Sequence, residues 1–525
     1  MDSINQATKN DQILLQRKEK PAAARPENQA QDGFSKSENI EKRGLILLQI
    51  DGLSHAALKE AFKTGSAPNI RSLLDMQGYA LSPFQCGVPT VTIPVLSSLF
   101  YGVDLPGNEW FDKADRKLVD GSEYETELRA ELKAQGKAGI LEKGIAVSSE
   151  LSGGSEDTCL VNNRLKESKK DSGAFLTALN EVWKTARAIK KGGFSLTKTA
   201  WNFVADIFKA RALMKKAGVS RTKMDKLAPI MMSLNHNICE RAACGTFLSA
   251  IKKGTPVMYT DFAAYDEKAH YFGNTSKEAM DMLKTIDQKI GVIVKESEKS
   301  PQKYEVLVFS DHGQTSSKLF HDQYGMKVHD MIVDYAKSAR ESRGQEYADG
   351  DVVVTDVYSL GNIYFNFDKD HVNMPEIEKR YPQLLSFLTD HPGIGLVCGR
   401  NNGNIVIRGK EGELEVSPEK RITTAGSSPL KEYGEEKVLV DQIINYMNIK
   451  GSGDVVIFGA YDKNRDEVID FNKKYSLVSL HGGLGGNQTK PFIIAKPEVP
   501  VNGSEITEAT QLHELHDKYK DYLKG

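Results

Sequence analysis

The sequence predicts an α/β fold with a largely parallel central sheet flanked by helices, and three observations carry that prediction. Residues 44–50, 257–260 and 304–310 are near-continuous apolar runs, as expected of strands buried on both faces. Each run leads into polar residues: Asp51 after the first, Asp266 and His270 after the second, Asp311 and His312 after the third. Between the second and third runs, residues 276–294 have helical periodicity, so strand, helix and strand alternate. Ligands of such sheets gather at the carboxyl ends of the strands, which is where these polar residues are expected.

The elements follow in order. Residues 1–43 are rich in Lys, Glu, Gln, Asn and Ala, carry Pro21 and Pro26 and contain no apolar run. That composition predicts a disordered tail and not a signal peptide. Ordered structure is expected from about Arg43, with helices over 56–62 and, opened by Ala67-Pro68-Asn69, through Met76. Residues 44–111 and 256–525 read as one domain, interrupted over 112–255 by a mainly helical insertion or cap. Within it, residues 174–226 hold twelve Lys or Arg against three Asp or Glu, interleaved with Trp183, Trp201 and four phenylalanines. Two readings fit: peripheral contact with an anionic membrane, or a cap whose aromatics pack inward and whose lysines are solvated. Farther on, the β-rich segments 352–355, 362–367 and 404–408 are expected to supply the sheet's remaining strands and an antiparallel edge.

Composition narrows the function classes. A net charge of −2 over 525 residues gives no global pull towards nucleic acid, so no nucleic-acid partner is expected. The five cysteines (Cys86, Cys159, Cys239, Cys244 and Cys398) are scattered and odd in number, which argues against a disulfide framework and for a reducing compartment. No stretch reaches the roughly 18 apolar residues of a membrane span. The expected location is the cytoplasm, with peripheral membrane contact as an addition.

The chemistry-bearing residues are three Asp and three His: Asp51, Asp266, Asp311, His270, His312 and His481, the last in a glycine-rich loop. Six such donors at or near strand ends are what two divalent metal ions need when each keeps an open position for substrate. The nucleophile candidate lies in Pro89-Thr90-Val91-Thr92-Ile93-Pro94. A threonine hydroxyl is a poor nucleophile at neutral pH, and coordination to a divalent cation removes that difficulty. Thr92 is preferred to Thr90 because it adjoins the start of a helix over 95–99, whose N-terminus favours an anion.

The order Asp51-Gly52, Ala67-Pro68-Asn69, Pro89-Thr90-x-Thr92-x-Pro94, Tyr265-Asp266-Glu267-x-x-His270, Ser310-Asp311-His312-Gly313 and His481-Gly482-Gly483 resembles the alkaline phosphatase superfamily. Within it, the chain is similar to the type I phosphodiesterase/nucleotide pyrophosphatase branch. The resemblance implies that 44–111 and 256–525 form an alkaline phosphatase-like catalytic domain. It also implies one metal on Asp266, His270 and His481 and another on Asp51, Thr92, Asp311 and His312. Two zinc ions are the expected pair, with manganese or iron as alternatives. Asp261 rivals Asp266, but only Asp266 stands four residues before His270. The implied activity is hydrolysis of a phosphodiester or phosphomonoester through a covalent phosphothreonine at Thr92.

One departure concerns substrate. That branch follows its Thr-x-Pro with a phosphate-binding asparagine, and this chain has Val95 there. Asn108, in Gly107-Asn108-Glu109-Trp110, or backbone amides are expected to take over. Other readings are a phosphoryl or headgroup transferase of the same superfamily, and a membrane-surface scaffold with an inactive site. A sulfatase would need Cys/Ser-x-Pro-x-Arg, which Cys86-Gly87-Val88-Pro89 does not provide, and a phosphoglycerate mutase would use serine at position 92. The glycines from Gly393 to Gly399 follow His391-Pro392 and not a strand, so they do not form a dinucleotide loop.

Overall fold

Past Arg43, every residue of the strand Arg43–Ile50 is buried. Its side chains alternate between two hydrophobic clusters: Ile46, Leu48 and Ile50 enter one, Leu45 and Leu47 the other. A strand sandwiched in this way has no solvent face, which is why its sequence reads as an unbroken apolar run. The computed structural model describes residues 43–162, 174–219, 221–497 and 503–514. The tail expected over 1–43 therefore lies, apart from Arg43, outside the described residues.

Arg43–Ile50 is the middle strand of a seven-stranded sheet in the order 80–83, 492–495, 303–309, 43–50, 257–262, 145–149, 157–161. It pairs in parallel with Lys303–Phe309 on one side and Val257–Phe262 on the other. Phe492–Ala495 alone is reversed, pairing antiparallel with both of its neighbours. The helices His55–Thr64, Pro68–Met76, Glu240–Lys253 and Lys277–Lys299 cover one face, and Thr92–Tyr101 and Gly121–Ala134 cover the other. Asp287 ties the first face together by accepting hydrogen bonds from Asn69 N and Ile70 N, at 3.1 and 2.8 Å, at the start of Pro68–Met76. The Ala67-Pro68-Asn69 motif thus opens a helix that the long helix Lys277–Lys299 caps from outside.

Two expectations about the remaining chain need correction. The stretch 112–255 is not an insertion wholly outside the sheet, because Ile145–Ser149 and Asp157–Val161 are its last two parallel strands. Their sequences, IAVSS and DTCLV, are short and part polar, so pairing of Ile145–Ser149 with Val257–Phe262, and of Asp157–Val161 with Ile145–Ser149, makes them strands where local pattern is silent. The helices of this stretch are Gly121–Ala134, which covers the sheet, and then Ala174–Lys191, Leu196–Ala217, Ala228–Leu234 and Glu240–Lys253.

The second correction is that the β-rich region after 350 does not complete the central sheet. It builds a separate seven-stranded sheet in the order 352–357, 360–365, 455–459, 394–401, 404–409, 412–416, 422–426. Every pairing in it is antiparallel. The reason is local: Asn402 (φ 49°) and Gly403 (φ 91°) form a two-residue turn with left-handed backbone at both positions. Such a turn folds Ile394–Asn401 directly back on Asn404–Gly409.

A hairpin of Glu109–Asp112 and Lys117–Asp120 connects to this second sheet through Lys113. Its ammonium lies 2.8 Å from Asp454, with both side chains buried. Asp454 also accepts hydrogen bonds from Phe365 N at 2.7 Å and Val372 N at 2.9 Å. Asp454→Ala leaves the Lys113 charge buried and unpaired, so it should destabilise the protein by about 3–5 kcal/mol. Urea unfolding should show a midpoint lowered accordingly, whereas an unchanged midpoint would mean that Lys113 escapes to solvent.

Candidate metal centre

The residues singled out above come from distant parts of the chain and meet at one end of the central sheet. Asp51 directly follows Arg43–Ile50, and Asp311 and His312 follow Lys303–Phe309 after Ser310. Asp266 and His270 stand one turn apart on the short helix Ala264–Phe272, which the chain enters from Val257–Phe262. Thr92 is the first residue of Thr92–Tyr101, and His481 follows the two-residue strand Ser479–Leu480. All six Asp and His are buried.

The three imidazoles share one device. His270 Nδ1 lies 2.8 Å from Ser479 O, His312 Nδ1 3.0 Å from Gly313 O, and His481 Nδ1 2.7 Å from Thr90 O. A carbonyl oxygen only accepts, so each Nδ1 carries a proton and each Nε2 is turned to the cluster, where in the neutral ring its lone pair can serve a ligand. His270 Nε2 is 3.0 Å from Asp266 Oδ2. His312 Nε2 is 3.2 Å from Asp311 Oδ2, 3.5 Å from Asp51 Oδ1 and 3.3 Å from Thr92 Oγ1. The His312 and His481 rings stack at 3.7 Å.

The donors lie close enough for ions. Asp51, Asp311 and His312 form one group whose ligand atoms are within 4.8 Å of one another, and Asp266, His312 and His481 form a second. His312 stands in both, and His270 joins the second through Asp266. Asp51 Oδ1 and Asp311 Oδ2 are buried without a hydrogen-bond donor. Burial first, then the neighbouring carboxylates, raises the Asp51 carboxyl well above its ordinary range, and Asp311 is also raised by burial. Burial pushes Asp266 up as well, but His270, His481 and His312 outweigh it and leave that carboxyl below its ordinary value. Burial and then His312 hold His481 well below the usual imidazole value. Acceptor oxygens without donors, beside imidazoles with free lone pairs, fit a pair of divalent cations.

The rivals separate in the structure. Asp261, at the carboxyl end of Val257–Phe262, faces Asp311, Glu150 and Asp51 with its Oδ1 also buried without a donor, but it has no histidine at bonding distance among the described contacts. Thr90 is fully buried, its hydroxyl 2.7 Å from Gly482 N and 3.2 Å from Gly483 O. It ties the His481 loop to the strand-like stretch before Thr92, and only Thr92 presents a hydroxyl to the cluster. Val95 packs in a hydrophobic cluster with Leu96 and Leu99 and so offers nothing to a substrate. Asn108 lies beside the Thr92 helix: its carbonyl accepts from Gly121 N at 2.8 Å, and its Oδ1 is buried without a donor.

Two residues went unnoticed in the sequence. Gln314 donates from Nε2 to Asp266 O at 3.0 Å and to the Asp266 carboxylate, holding it in place. Tyr358 packs its ring 4.7 Å from His481 and 5.5 Å from His270, with a left-handed backbone (φ 55°). Neither has a sequence signal beyond Gln314's place just after Asp311-His312-Gly313.

A family profile described as type I phosphodiesterase/nucleotide pyrophosphatase matches residues 45–381, which includes five of the six donors and Thr92. The chain belongs to the type I phosphodiesterase/nucleotide pyrophosphatase family. That membership supports phosphate-ester hydrolysis as the class of activity. No curated protein sequence matches the chain. Among solved structures, phosphonoacetate hydrolase from Sinorhizobium meliloti, in complex with phosphonoformate, is similar at 14% identity and a TM-score of 0.49, covering 92% of this chain and 96% of that one. An inactive murine ectonucleotide pyrophosphatase/phosphodiesterase 5 in complex with AMP is similar at 11% identity and a TM-score of 0.46, covering 91% and 95%.

In this phosphodiesterase-family chain, Gly52 is the glycine whose backbone bears directly on the cluster. Its φ is 68°, and a Cβ there would stand 2.0 Å from Asp266 Oδ1. Gly52→Ala should therefore lower stability by about 1–3 kcal/mol, through the left-handed backbone and the displaced carboxylate together. Equilibrium denaturation checks this, and a variant as stable as the parent would show that the Asp51–Leu53 turn relaxes freely.

Proposed function

We propose that this protein hydrolyses a phosphate ester through a covalent phosphothreonine on Thr92, with two divalent cations in the cluster described above. The observation that carries the reading is the shared anchoring of His270, His312 and His481 by backbone carbonyls, which turns three Nε2 atoms towards carboxylates beside the Thr92 hydroxyl. Asp266, His270 and His481 would hold one ion, and Asp51, Thr92, Asp311 and His312 the other. Zinc suits the nitrogen-and-carboxylate donor set best, with manganese or iron as alternatives. Bound there, the cations would supply Lewis acidity that lowers the hydroxyl pKa and offsets phosphoryl charge.

The chain's own residues account for the rest. Thr92 Oγ forms a bond to phosphorus as the bond to the leaving oxygen breaks, and that oxygen departs with a proton. Water then cleaves the phosphothreonine, restoring the hydroxyl. The helix Thr92–Tyr101 begins without a side-chain cap, so the Thr92 and Ile93 N–H groups have no intrahelical acceptor and point towards its N-terminal end. They are suited to the non-bridging phosphoryl oxygens, the task that the Val95 position cannot perform, with Asn108 proposed as the assisting side chain. All six donors and Thr92 are present, which favours an active enzyme over a scaffold that has lost its chemistry. The five cysteines are all buried, and none is in a disulfide.

Two measurements test this. The protein reconstituted with zinc should hold about two ions per chain by elemental analysis, and Asp311→Ala and His481→Ala should each lower that content. Against p-nitrophenyl mono- and diesters, Thr92→Ala should lose turnover by about a thousandfold or more at unchanged metal content, while Thr92→Ser keeps part of it. Thr90→Ala should act mainly on stability, by about 1–3 kcal/mol, because it strands buried backbone groups. Equal loss of turnover at both threonines, with metal retained, would move the assignment from chemistry to loop structure.

A further inference from the structure

The helix Leu196–Ala217 is amphipathic in an unusual sense. Its buried residues, Thr199, Ala210 and Met214, lie on one side. At 100° per residue, Trp201, Val204 and Phe208 project from the opposite side, into solvent. Trp201 is 74% exposed and Phe208 65%. Large apolar side chains continue nearby in sequence, with Val182 and Trp183 exposed on Ala174–Lys191 and Leu227 and Met231 exposed around Ala228–Leu234. The expectation of aromatics packed inward thus fails for Trp183, Trp201 and Phe208, while Phe194 does pack, under the Arg241 guanidinium.

Cations flank the stripe. Arg211 and Lys215 share its side of the helix, and Lys198, Lys209 and Lys216 border it, all exposed. None has an acidic partner among the described residues. The single acid on this helix, Asp206, is turned to Asn237, which donates to it at 2.7 Å.

We infer that this face docks on a lipid bilayer rich in anionic headgroups, with Trp201, Val204 and Phe208 entering the interface and the lysines and arginine meeting the headgroup charge. Aromatic and aliphatic side chains with flanking Lys and Arg are what such a surface accommodates. A second copy of the chain is a poorer occupant, since it would bring these cations against their own kind. A nucleic-acid backbone would match the cations but leave Val204 and Met231 without a partner. Docking does not rest on the hydrolytic reading.

Co-sedimentation of the full chain with vesicles tests it, comparing pure phosphatidylcholine with phosphatidylcholine mixed with phosphatidylglycerol at low and high salt. Partition into the anionic vesicles should exceed that into the neutral ones by about tenfold at low salt and fall steeply at high salt. The exposed pair Trp201→Ser with Phe208→Ser, and separately Lys198→Glu with Lys209→Glu, should each reduce anionic binding about tenfold with unchanged melting temperatures. Thr92→Ala should bind like the parent, so a failure of the catalytic proposal leaves this test intact. Equal partition into both vesicle types, or binding indifferent to the Trp201/Phe208 change, overturns the proposal. So does self-association without lipid that the same change abolishes, or equally strong salt-sensitive binding to duplex DNA.

Discussion

Carboxylates buried beside one another are the constraint on which this structure is organised. Asp51 and Asp311 stand at the ends of adjacent parallel strands, where Asp51 Oδ1 and Asp311 Oδ2 are buried without a hydrogen-bond donor. Negative charge in such a place is costly unless something positive meets it. The protein answers with imidazoles whose protons are committed elsewhere. Because Nδ1 of each ring is bound to a carbonyl, each ring turns Nε2 to the carboxylates, and at Asp51 and Asp311 the demand for positive charge is left open. Packing on both faces of the central sheet makes this demand strong, since it sets the strand ends in a low-dielectric interior.

The second sheet bears on this centre through a tight turn. Val357 O would stand 2.3 Å from a Cβ at Gly482, and Ser359 Oγ 2.5 Å from one at Gly483. The glycines after His481 therefore let the loop lie flat against the turn between Val352–Val357 and Leu360–Phe365. Tyr358, at the tip of that turn, fills the space beside His270 and His481. The antiparallel sheet thus acts as a wall that presses the last histidine into the cluster formed by the parallel one.

What could be read in the residues alone follows a physical division. The middle strands and the helix Pro68–Met76 were legible because burial on both faces and a proline at the helix start are local matters. The candidate donors were legible because Asp and His at strand ends have few structural reasons to be there. The strands Ile145–Ser149 and Asp157–Val161 were not, since only neighbours already in place make them strands. The separate second sheet was missed although Asn402-Gly403 announced a hairpin, because sheet membership depends on pairings far along the chain. Gln314 and Tyr358 support the cluster through tertiary contacts alone, and Thr90 read as a rival nucleophile until its hydroxyl was found engaged with Gly482 and Gly483.

The bridge between Thr90 and Gly482 joins residues separated by most of the chain. His481 and the reversed strand Phe492–Ala495 both lie beyond the family-matched segment, which ends at residue 381. During synthesis, the first strand and the helix Thr92–Tyr101 leave the ribosome long before the parts that complete the sheet and the cluster. Until then a partly built parallel sheet must wait with an open edge between Lys303–Phe309 and Ala80–Pro83, the kind of non-local closure that folds slowly. The order of translation therefore keeps the cluster unformed until His481 and its loop have been made, a built-in delay between making the first strand and completing the cluster.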